Sequence, residues 1–122
     1  MNALLLVGAG GFVGSIARYL ISTNLMKMST SGFPIGTLMV NVVGCFGIGL
    51  LAAKSDALNH DTRLLLMTGL LGGFTTFSAF GLETITLMKK GEWLFASTNI
   101  ALSVVLGLVA VWLGMLVMGQ RV

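Results

Sequence analysis

Apolar residues fill four long stretches of the chain, separated by short polar breaks. The first runs from about Ala3 to Ile21 and the second from about Ile35 to Ala53. The third runs from about Thr62 to Met88 and the fourth from about Trp93 to Met118. A helix crossing hydrocarbon needs roughly 20 apolar residues. The pattern therefore predicts an all-α membrane protein: residues 1–122 as one domain of four transmembrane helices, with no soluble domain beside them. Ser22 to Pro34 reads as a polar loop and Lys54 to Asp61 as a shorter one. Lys89-Lys90-Gly91-Glu92 reads as a tight turn. Pro34 falls near the first turn of the second span, where a missing N–H does no harm. The first run has no basic segment before it and ends at Arg18-Tyr19 rather than at a small-residue cleavage site, so it reads as a retained span.

One segment interrupts this regularity. Gly72-Gly73-Phe74-Thr75-Thr76-Phe77-Ser78-Ala79-Phe80 places paired glycines, hydroxyls and phenylalanines inside the third apolar run. Backbone polar groups in lipid need partners, so such a stretch is tolerated only where protein or a water path surrounds it. The third helix is expected to break near its middle, at Gly72-Gly73. An interrupted helix frees carbonyls that can coordinate a cation such as Na+ at membrane depth.

Composition agrees with the pattern. The chain is 56% hydrophobic and 9% charged, far below the roughly 25% charge of soluble domains. Its formal net charge of +3 comes without a basic run, which suits lipid headgroups and gives no sign of nucleic-acid binding. Cys45 is the single cysteine, so an intrachain disulfide is excluded. Its simplest role is as a small apolar residue in a span. His60 lies in a polar loop, Trp93 at an expected interface, and Trp112 deeper, as a packing residue. The 17 glycines include the pairs Gly10/Gly14 and Gly69/Gly73, a spacing that lets helices approach closely in lipid.

Charge placement bears on orientation. Lys54, Arg63 and Arg121 fall on one side of the four-span arrangement, and Lys27, Lys89 and Lys90 on the other, with Arg18 a slight bias. Lys/Arg asymmetry sets topology, and here it is nearly absent. The expectation is insertion in both orientations, with two opposite copies forming an antiparallel, dual-topology homodimer.

Few polar side chains lie deep in the spans. Thr37 and Asn41 are four apart and share a helix face with Gly44. The Asn41 amide fits either an interhelical hydrogen bond or donation to an anion in a pore. Thr76, Phe77, Phe80 and Glu83 form a second stripe. The phenylalanine ring edge is positive, so Phe77 and Phe80 fit either apolar packing or an anion path. Glu83 fits an interfacial pair with a lysine or a water-filled vestibule. Arg18 fits snorkelling to the interface or attraction of anions. Asn99 and Ser103, followed on the same face by Gly107, suit a pore wall and a helix contact equally.

Gly-Thr-Leu-x-Val-Asn in the second span, Gly-Gly-Phe-Thr-Thr-Phe-Ser-x-Phe in the third and Gly10-Gly11-x-x-Gly14-x-x-x-Arg18-Tyr19 in the first resemble the Fluc (CrcB) fluoride channel family. The resemblance covers essentially the whole chain. It implies a dual-topology homodimer in the bacterial plasma (inner) membrane, with two antiparallel fluoride pathways. These would let cytoplasmic fluoride leave passively, after its arrival as neutral HF. It also implies a structural Na+ at the dimer interface, held by backbone carbonyls of Gly72 and Thr75 from both subunits. Phe77, Phe80, Asn41 and Ser103 match pore positions, and Thr37, Arg18 and Glu83 match vestibule or pathway-end positions. Ala79 and Asn99 depart from the family pattern, which often has threonine and tyrosine there.

With no nucleophile–base pair, metal cluster or nucleotide loop in the sequence, it does not read as an enzyme. The main alternative is a small dual-topology proton-coupled multidrug exporter. Such proteins resemble one another through an essential glutamate in the first span, and this first span has no acid. A non-transporting subunit packed against a larger complex leaves Asn41 and the interrupted third span without a role.

Overall fold

The computed structural model describes residues 2–121, and those residues are helical apart from short connections. Helix α1 covers Ala3–Met28 and α2 covers Ile35–Ala53. A short 3₁₀ turn, Ser55–Ala57, leads to α3 at residues 60–74. Helix α4 covers Phe77–Lys89 and α5 covers Trp93–Val117. α3 and α4 together form one span, so among the described residues four helical units are long and apolar enough to cross a membrane.

The helix ends follow simple chemistry. The Asn2 side chain accepts from the Leu4 amide at 2.7 Å, and Asn59 accepts from Thr62 at 2.7 Å. Both satisfy amides that a first turn leaves without partners. Helix α1 runs two turns beyond Ile21, so the polar stretch beginning at Ser22 is helix rather than loop. Its Ser22 hydroxyl bonds the Arg18 carbonyl at 2.7 Å instead of competing with the helical ladder. The connection to α2 is pinned where Phe33 meets Phe95 edge-on, centroids 5.5 Å apart.

Small residues set the packing. Gly10 and Gly14 of α1 lie against Gly69, Leu70 and Phe74 of α3. A Cβ at Gly14 would sit 2.1 Å from the Leu70 carbonyl oxygen. On the other side, Gly49 of α2 and Gly114 of α5 meet the opposing backbones, and a Cβ at Gly49 would sit 2.2 Å from the Val111 carbonyl oxygen. Two close helix pairs, α1–α3 and α2–α5, thus form the bundle, and α4 packs on α5. Association in lipid rests on such contacts rather than on water exclusion. Leu4, Phe12, Leu94 and Leu108 accordingly remain largely exposed on the single chain.

The interruption of the third span is displaced from its expected place. Gly72–Phe74 is helical, and Gly72 has φ −63° and ψ −37°. The chain opens at the next two residues: Thr75 has φ −87° and ψ 155°, and Thr76 has φ −148° and ψ 120°. The glycines serve contact instead, because a Cβ at Gly73 would lie 2.7 Å from the Gly11 carbonyl oxygen. Leu64–Leu71, just before them, is π-helical.

Candidate functional site

The break is assembled from its own threonines and from a residue on another helix. Thr75 turns its amide and its hydroxyl onto the Leu71 carbonyl, at 3.1 and 3.0 Å, and closes the last turn of α3. The Thr76 hydroxyl accepts from the Ala79 amide at 3.2 Å and caps the first turn of α4. The extended peptide at Thr76 is completed by Asn41. Its Nδ2 donates to the Thr76 carbonyl at 2.9 Å, and its Oδ1 accepts from the Thr76 amide at 2.8 Å. The amide thus takes the place of a neighbouring peptide group, which backbone at membrane depth requires. Of the two readings of Asn41, the interhelical bond is present. Its NH2 group keeps a second hydrogen beyond the one given to Thr76.

Diverting the Thr76 amide to Asn41 also removes the helical partner of the Gly72 carbonyl four residues earlier. The next carbonyl, Gly73, accepts from Arg18 Nε at 3.1 Å. Arg18 therefore caps the carbonyl end of α3, where the helix dipole favours a cation. It is half-buried.

Two cavities have Thr76 in their walls. The first, about 500 Å³, is bordered by Arg18, Lys27, Thr37 and Glu83, with Thr76 and Ala79 also on its wall. Thr37 donates its hydroxyl to Glu83, so α2 supplies the Glu83 partner rather than a lysine. The second, about 390 Å³, is a groove bordered by Asn41, Thr75, Thr76, Phe77, Phe80 and Ser103, with Gly72 also on its wall. The rings of Phe77 and Phe80 lie 5.5 Å apart and tilted by 41°. Phe77 is largely exposed on the single chain, whereas Phe80 is half-buried. The structure thus gathers Arg18, Thr37 and Glu83 at one end. It gathers Asn41, Phe77, Phe80, Ser103, Gly72 and Thr75 at the other.

Two members escape a reading of the sequence. Lys27 reaches the first cavity because α1 continues to Met28; its spacing of nine from Arg18 is visible in the sequence once the helix is known to continue. Thr84 is buried and accepts from Asn99 Nδ2 at 3.0 Å. Its position four residues after Phe80 is its only sequence signal.

The family model described as "CrcB-like protein, Camphor Resistance (CrcB)" matches residues 5–115. The chain belongs to the CrcB-like family. Curated relatives cover nearly its full length. A protein of Shewanella loihica named "Fluoride-specific ion channel FluC" is 45% identical over 124 residues, covering 100% of both chains. A relative of the same name from Rhizobium johnstonii is 50% identical over 122 residues, 97% of each chain. Another from Ruminiclostridium cellulolyticum is 51% identical over 111 residues, 88% of this chain and 85% of the relative. In this CrcB-like chain the matched region contains both cavities, the break and all but the outermost two residues of the first and last spans.

Proposed function

We propose that this chain is a fluoride-selective ion channel through which cytoplasmic fluoride leaves the cell down its gradient, reducing fluoride toxicity. The carrying observation is a pair of cavities that share Thr76 of a broken span as a wall, in a chain whose relatives are named fluoride-specific channels. Arg18 and Lys27 at the first cavity attract the anion. Fluoride is small and strongly hydrated, so the inner path must replace water with donors. The second Asn41 N–H, the Ser103 hydroxyl and the positive ring edges of Phe77 and Phe80 supply them. The positive end of α4 begins at Thr76, which borders both cavities. Each contact is individually weak, which lets the ion leave as readily as it arrives.

The working form is an antiparallel, dual-topology homodimer in the bacterial inner membrane. The nearly balanced Lys/Arg count supports this, as does the largely exposed Phe77, which a second copy would cover. A Na+ ion at the two-fold axis fits the donor set. The Gly72 carbonyl is relieved of its helical amide by Asn41, and Thr75 is extended with its methyl group packed on Gly44. Gly72 and Thr75 from each copy would hold it, and it would supply fixed positive charge between the two paths.

Purified protein in vesicles tests the mode of transport. Fluoride efflux should proceed with potassium and valinomycin clamping the voltage and no proton gradient, and Phe80→Ile should reduce it sharply. Efflux that requires a proton gradient would instead favour the exporter reading.

A further inference from the structure

Asn99 is 2% exposed and Thr84 is 5% exposed, the two buried polar residues among those described. A buried amide must be paired, and the pairing here has a fixed direction. The single Thr84 O–H is given to the Phe80 carbonyl at 2.8 Å. Its oxygen can then only accept, so Asn99 must present its NH2, at 3.0 Å. That fixes the amide orientation and aims Asn99 Oδ1 at Ser103. The Ser103 hydroxyl donates to it at 3.4 Å, a long and weak bond.

Ser103 is also on the wall of the groove with Asn41, Phe77 and Phe80. Its one hydrogen is given to Asn99, which does not line the groove. An anion arriving at Ser103 must take that hydrogen from Asn99 and leave Oδ1 without a partner. The geometry points to Asn99 as a positioning residue: through the chain Phe80 carbonyl, Thr84, Asn99, Ser103, it holds the Ser103 hydrogen and keeps anion binding in the groove weak. Asn99 is itself outside the wall of the groove. This inference rests on the reading of the groove as a fluoride path.

The test is fluoride flux through reconstituted full-length protein, measured against fluoride concentration. Asn99→Leu cannot accept the Ser103 hydrogen and so frees it for the anion. Thr84→Val preserves shape but removes the group that orients Asn99, so the amide can turn its NH2 to Ser103. Each is expected to lower the half-saturating fluoride concentration about two- to fivefold, the span of a weak hydrogen bond, with no gain in maximal rate. In an S103A background neither substitution should shift it further. Two variants keep the test open if one fails to fold. Native half-saturation in both variants would overturn the inference, as would equal shifts with and without S103A. S103A behaving as native protein would remove Ser103 from the path and overturn the inference with it. Absence of flux from folded native protein would instead overturn the channel reading.

Discussion

Replacing Asn41 with alanine removes both bonds that complete the broken span, at 2.9 and 2.8 Å, and leaves the Thr76 N–H and C=O unpaired. Leaving a buried donor or acceptor unsatisfied costs about 1–3 kcal/mol each. The two together set a range of about 2–6 kcal/mol. Thr76 borders both cavities, so water reaching it would offset part of the loss and place the effect near the lower end. Even about 2 kcal/mol is a large fraction of the stability of a small domain. Asn41→Ala is expected to shorten the time native protein survives heating in mild detergent, followed by size-exclusion chromatography, and to cut fluoride flux per folded protein. Asn41→Asp should do the same: one oxygen still accepts from Thr76, but the other faces its carbonyl and adds negative charge beside the path. Native heat resistance together with native flux in Asn41→Ala would refute the role assigned to this residue.

Three further outcomes follow from other contacts. Gly49→Val places a Cβ 2.2 Å from the Val111 carbonyl oxygen, and the backbone cannot retreat as a side chain would. A loss of at least about 3 kcal/mol is expected, seen as failure to recover monodisperse protein, and ordinary recovery would contradict the α2–α5 packing. Arg18→Gln removes a cation from the outer cavity and should lower flux about tenfold at low ionic strength. That deficit should shrink as salt rises toward 1 M, and a salt-independent deficit would leave Arg18 only its bond to Gly73. Protein prepared with N-methylglucamine as the sole cation should dimerise more weakly than protein in Na+, and equal dimerisation would count against the sodium site.

The four spans were legible because lipid imposes length and polarity on any sequence that crosses it. The close approach of small residues is legible too: Gly10 meets Gly69 across α1 and α3, while Gly14 lies against Leu70 and Phe74 and Gly73 against Gly11. The place of the break was not. Glycine is a weak helix former, so Gly72-Gly73 drew the expectation, yet both are helical. The interruption falls at Thr75-Thr76 because Asn41, 35 residues away, offers the Thr76 peptide a better partner than the helix does. No local propensity encodes that. The sequence places Lys27 in a loop for a related reason. Ser22 and Thr23 resemble a loop, but the Ser22 backbone meets Gly36 of α2 and the helix continues. The sequence shows Asn99 as polar and on a face with Ser103, but its direction depends on Thr84, a threonine with no distinguishing pattern in its helix.

The central claim is selective passage of fluoride. Vesicles carrying purified protein and loaded with potassium fluoride or potassium chloride, opened to efflux with valinomycin, distinguish the outcomes directly when followed with ion-selective electrodes. The account predicts rapid fluoride release with chloride retained. Retention of both ions, or equal release of both, by folded protein would contradict it.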